Sequence, residues 1–193
     1  MGVSISWLAV SDMEPEAIHK QLGLLSSREF DADIKYPFAG RVLPSGWYLV
    51  VANRCDSPMV RDDMLSSLSM SARVVAASIE EHVMYCFSTC WLNGQQEWRV
   101  QHEAEKGTTH LDVSGVPPEE LETLRQGALS RQLCHDDEIG VDYVFDVPLE
   151  LAKRVVGFRH DDNDPGPELE FFEILKVDER AETPLKRERW KFW

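Results

Sequence analysis

The chain has 193 residues, 43% hydrophobic and 28% charged, and its 34 Asp and Glu against 20 Lys and Arg leave a formal net charge of −14. That balance excludes the disordered, collagenous and membrane-spanning classes, and it repels a phosphate backbone, so nucleic acid is not an expected partner. The length suits one α+β domain over residues 1–193, whose core would bury roughly 70% of the unfolded surface.

The opening MGVSISWLAVSDMEPE has no basic n-region, and its apolar run is too short for a secretion signal or a spanning helix. Cys55, Cys86, Cys90 and Cys134 contain no C-x-x-C pair. Both features fit a reducing cytoplasm.

In chain order, Ser4 to Val10 alternates as a strand, and Ser11 with Glu14 forms a capping-box pattern for a helix that carries Ile18 and Leu22 inward and stops at Gly23. An extended stretch over 34–42, a Pro44-Ser45-Gly46 turn and WYLVVAN from Trp47 predict a hairpin. Ser57-Pro58 opens a short helix with Val60, Met64 and Leu68 on one face, and Arg73 to Ile79 returns as a strand. The order β-α-β-β-α-β is that of ferredoxin-like folds.

Asn93-Gly94 and Lys106-Gly107 are turn signals that divide His82 to Gly115 into a three-strand meander. An unbroken register from Leu92 opposite Gln95 sets Tyr85 opposite His102, Phe87 opposite Val100 and Thr89 opposite Trp98. Tyr85, Phe87, Trp91, Trp98, Val100 and His102 then share the core face, with Cys86 and Cys90 on the other. Pro117-Pro118 starts a further helix with acids in its first turn and Arg131 near its end. The expected architecture is a mainly antiparallel sheet with helices packed on one face.

From Asp136 to Glu170 eleven acids face three bases, a net of −8. Asp146 caps a helix over Val147, Leu151, Val155 and Phe158, and Phe171 to Val177 adds a last strand. Asp162, Asp164, Glu170 and Glu173 have calcium-loop spacing, but Pro167 stands where the sharp turn of that loop requires glycine, so no metal is expected there. The tail from Lys186 to Trp193 reverses the charge to +3.

Phosphate-binding glycine loops, the G-x-S-x-G elbow and H-E-x-x-H are all absent from the sequence. No cofactor and no catalytic set is expected. The first functional reading is a non-enzymatic, cytoplasmic, acidic protein-binding module in which Asp136, Asp137, Glu138, Asp142, Asp161, Asp162 and Asp164 meet a cationic protein. Arg187, Arg189, Trp190, Lys191, Phe192 and Trp193 would clasp that acidic segment or contact the partner. The competing readings are a small-molecule or enzyme pocket around Tyr85, Trp98 and His102, and a homo-oligomeric structural subunit; the sequence leaves the oligomeric state open.

The runs GWYLVVANRCD, ARVVAASIEEHVMY, W-x-N-G-x-x-x-W-x-V-x-H and DYVFDVPLELAKRVVGFRHD resemble small uncharacterised bacterial proteins. That resemblance implies no agreed activity. In size and charge the chain is also similar to immunity or inhibitor proteins that neutralise a basic toxin.

Overall fold

A computed structural model describes residues 2–32, 35–134, 141–162, 171–182 and 185. Their elements in order are β1 (Ser4–Val10), α1 (Pro15–Leu22), β2 (Leu24–Asp31), β3 (Phe38–Val42), β4 (Tyr48–Ala52), α2 (Asp62–Leu68), β5 (Val74–Glu80), β6 (Tyr85–Leu92), β7 (Gln95–Glu103), β8 (Asp112–Gly115), α3 (Glu120–Cys134), α4 (Asp146–Val156) and β9 (Phe172–Val177). The strands form one sheet ordered β2-β9-β3-β4-β1-β5-β6-β7-β8. Every pairing in it is antiparallel. The α+β class with an antiparallel sheet is the one the sequence implies.

The middle strands are buried on both sides. In β1, Ile5, Trp7 and Ala9 belong to one core cluster while Leu8 and Val10 belong to another. The first cluster is closed by α3 and α4 through Leu121, Ala128, Leu149, Leu151 and Val156, the second by α1 and α2 through Ile18, Leu22, Met64, Leu65 and Leu68. Helices therefore cover both faces, two on each, where one covered face was expected. The physical reason lies in YLVVA and VVAASI, which offer water no polar side and so need a cover above and below.

Within the sheet, β5-β1-β4-β3 has the strand order of a ferredoxin-like unit, and α1 and α2 lie on the same side of it. The unit is extended by β6, β7 and β8 on one side and by β9 and β2 on the other. Periodicity predicts no strand at β2, because Leu24 is its only buried residue and an exposed edge leaves no alternation to read. The anticipated capping box is also not formed. Glu14 makes no side-chain cap, Pro15 opens α1 instead, and Gly23 closes it in the left-handed region at φ 72°.

Candidate functional site

The meander begins as its Asn93-Gly94 turn dictates, with Leu92 paired to Gln95 and Trp91 to Gln96, but the next pair is Cys90 with Trp98. Glu97 is the extra residue of a β-bulge. From that point the register is one residue off the unbroken one: Val100 faces Ser88, His102 faces Cys86 and Glu103 faces Tyr85. A slip of one residue turns every side chain to the other face. Gly115 accommodates the bulge, since a Cβ there would lie 2.0 Å from the Glu97 carbonyl oxygen.

The slip sorts the candidate residues anew. Tyr85 and Phe87 lie on the α1/α2 side with Arg99, whose guanidinium stacks 3.8 Å from the Phe87 ring. Trp98 and His102, 4% and 0% exposed, face the α3/α4 side with Cys86, Cys90 and Val100. Tyr85, Trp98 and His102 therefore do not line one pocket. Cys86 and His102, expected on opposite faces, are direct cross-strand partners.

A third residue completes this cluster. Asp142, in the chain leading into α4, places Oδ2 2.9 Å from His102 Nε2, with its side chain 5% exposed. Its Oδ1 accepts the backbone N–H groups of Val144 and Phe145, each at 3.1 Å. His102 Nδ1 donates to the His110 carbonyl oxygen at 2.8 Å. A Cys, a His and an Asp together suggest a nucleophile with its base and orienting acid. Here the thiol donates to the Phe145 carbonyl at 3.1 Å, is fully buried, and is pushed well up by burial and by the charges of Asp146 and Asp142. A thiol held protonated away from solvent is inert.

The described acids of the acidic segment are paired from within. Arg159, 14% exposed, contacts Asp146 Oδ1, Glu150 Oε1 and Asp161 Oδ1, each at 2.6 Å. Burial opposes the guanidinium charge, but the Asp161 and Asp146 carboxylates raise its pKa above the ordinary value. Lys153 pairs with Asp162 at 2.6 Å. With Asp142 on His102, all five described acids of the stretch have internal partners, and Asp142 is a buried cap rather than part of an exposed surface. Asp136, Asp137, Glu138 and Asp164 lie outside the described residues, as do Arg187, Arg189, Trp190, Lys191, Phe192 and Trp193. Most of the calcium-like spacing lies outside them too. Among the described residues no group of three or more His, Cys, Asp and Glu is arranged to hold a metal ion, and no helix is long and apolar enough to cross a membrane.

Two surfaces stand out among the described residues. At one end of the sheet, a groove of about 1360 Å³ runs over Leu25, Phe38, Ile174, Leu175, Val177 and Leu185. Three ion pairs lie on its rim, Lys35 with Asp31 at 2.8 Å, Arg54 with Asp56 at 2.7 Å and Lys176 with Glu29 at 3.6 Å. At the other end, β8 is paired with β7 alone among the described residues, and all four of its residues are exposed. Val113 is 43% exposed and Val116, just beyond the strand, 84%. From Asp112 to Arg125, four acids (Asp112, Glu119, Glu120 and Glu122) face the single base Arg125. All four are exposed.

Fold and site together define a nine-stranded antiparallel α+β protein with a sealed polar cluster and an acidic open edge. No known protein family, curated protein or solved structure matches the chain.

Proposed function

We propose that the chain is a non-enzymatic cytoplasmic protein-binding module that engages a cationic partner, in the manner of an immunity or inhibitor protein, through β8 and the start of α3. The observation that carries this reading is the exposed β8 edge with Val113 and Val116 beside Glu119, Glu120 and Glu122. An unpaired strand edge offers a row of backbone donors and acceptors to an incoming strand. The valines supply apolar contact, and the acids steer and select a basic strand. The cytoplasmic setting is supported by four cysteines that are all free thiols. The sealed state of Cys86, His102 and Asp142 speaks against catalysis there.

The test uses a synthetic peptide of alternating Lys and Val, with a control of equal charge whose central residues are proline. Calorimetric titration should show the first peptide binding at least tenfold tighter than the control, because proline cannot add to a strand. It should also show at least tenfold weaker binding to the variant carrying E119Q, E120Q and E122Q. Equal affinity for both peptides, or for both proteins, rejects this surface.

A further inference from the structure

We infer that the strand which fills the β8 edge is residues 186–193 of a second copy of this chain, so that copies join head to tail. The inference rests on the reading of β8 as a contact edge, and it names what that edge meets when no other cationic protein is present. In β7 the Ala104 N–H donates to the Met84 carbonyl at 3.1 Å, so the alternate residues His102 and Val100 turn their backbone groups to β6. Val113, opposite Val100, therefore stands in a pair without hydrogen bonds and turns its own N–H and C=O to the open side. Its side chain shares the Val100 face, while Asp112 and Ser114 take the other. Pro117 and Pro118, which lack an N–H, end the edge. A fitting strand needs an apolar residue opposite Val113 and basic residues on either side of it, toward Asp112. Residues 187–192 have that alternation: Arg187, Arg189 and Lys191 share one face of an extended run, Glu188, Trp190 and Phe192 the other. With Trp190 opposite Val113, Arg189 and Lys191 fall on the Asp112 side. Residues 186–193 carry +3 against Asp112, Glu119, Glu120 and Glu122 on the edge. Asp112 also meets Lys106 at 3.5 Å and His110 at 3.1 Å, so the three glutamates carry most of the selection.

The same copy cannot supply this strand. Leu185 is buried in the core on the α1/α2 side and lines the groove with Phe38 of β3 and Leu175 of β9. From β3 to β8 the sheet steps across six strand spacings, which at about 4.8 Å each span roughly 29 Å. The four residues from Leu185 to Arg189 extend at most about 14 Å. The segment therefore falls short of its own β8 and meets that of another copy. Two copies cannot pair β8 against β8, because Asp112, Glu119, Glu120 and Glu122 would face themselves. The sheet's other edge, β2, offers no regular run of backbone, since its register shifts between Ser26 and Phe30 and Arg28 stands at φ 61°. With the donor segment rooted near one end of the sheet and the acceptor edge at the other, the contact is heterologous and builds a ring or an open chain. A cationic protein that takes β8 displaces the segment, so partner binding and self-association exclude each other.

The experiment is sedimentation of the full chain up to about 1 mM, a range suited to the weak contact of one short strand. Two variants accompany the wild type, one carrying E119Q, E120Q and E122Q at the edge, the other R189Q, W190A and K191Q in the segment. The wild-type mass should rise with concentration, and each variant alone should associate about tenfold more weakly or worse. An equimolar mixture of the two variants should form a one-to-one dimer that grows no further, because one copy brings the intact edge and the other the intact segment. The alternating Lys-Val peptide should dissociate the wild-type assembly. A wild type that stays monomeric overturns the inference, and so does association that either variant leaves unchanged, or a mixture that stays monomeric. A monomeric chain that still binds the Lys-Val peptide at β8 overturns this inference alone, whereas failure of that peptide to bind overturns the functional reading.

Discussion

The Glu97 carbonyl oxygen stands where a side chain on residue 115 would have to go: a Cβ built on Gly115 lies 2.0 Å from it. Gly115 also sits at φ 74°, in the left-handed region that disfavours other residues. The bulge on β7 and the glycine on β8 are thus one device, and it decides which face His102 occupies.

Replacing Gly115 with Ala should destabilise the protein by about 1–3 kcal/mol through strain and displacement of β8. Gly127, in α3 with nothing within 4 Å of its added Cβ, is the contrast. There Ala should stabilise by about 0.5–1 kcal/mol. Urea unfolding of both variants checks this, and similar midpoints for the two would refute the close approach.

Arg159→Met removes the cation shared by Asp146, Glu150 and Asp161. The carboxylates are over a third exposed, so solvent screens the gain, and the expected loss is about 1–2 kcal/mol at low salt, shrinking as salt rises. A loss independent of ionic strength would mean that packing, not charge, is what Arg159 contributes.

His19 Nε2 lies 2.6 Å from the Tyr48 hydroxyl in the core beneath α1. Burial lowers the imidazole pKa below 6.5, against the opposing pull of Glu173 and Glu16. The unfolded chain therefore takes up the proton first. The stabilisation is complete above pH 6.5 and is lost as pH falls through the lowered folded value. His19→Gln keeps a polar side chain without the titration, so its stability should be flatter than the wild type's as pH falls below 6.5. Parallel profiles for the two proteins would remove His19 as the acid sensor.

The four thiols should react in a fixed order. Cys134 is exposed, Cys55 is half-buried, and Cys86 and Cys90 are core residues. Burial, then the Glu97 carboxylate, pushes Cys90 up to about 12. Titration with a disulfide reagent should modify Cys134 first and reach Cys86 and Cys90 only on unfolding. Rapid native labelling of Cys86 would show that the cluster is open.

Much of the fold is legible in the residues. SISWLAV, WYLVVAN, the Asn93-Gly94 turn, the Pro117-Pro118 helix start and FFEILKV all mark elements that form, because each signal is local. The site is legible only in part. Unbroken alternation through QQEWRVQH reads as one register, and the bulge that breaks it depends on a backbone contact from Glu97 to residues 115 and 116 of the next strand. The available signal was Gly115 itself, an isolated glycine in an extended run, which often marks a bulge or a close backbone approach. Asp142 carries no local mark of burial. Its partner is forty residues away, and charge counting assigns it to the surface. Arg159 likewise looks like one base among many acids until the fold folds three carboxylates around it.

The central claim is most directly tested by mapping backbone amide shifts of the ¹⁵N-labelled full chain during titration with the alternating Lys-Val peptide at physiological salt. The account expects the perturbations to concentrate at residues 112–116 and 119–125, with new exchange protection on β8. Shifts centred instead on Leu25, Ile174 and Val177 in the opposite groove, or spread evenly over all exposed acids, would contradict it.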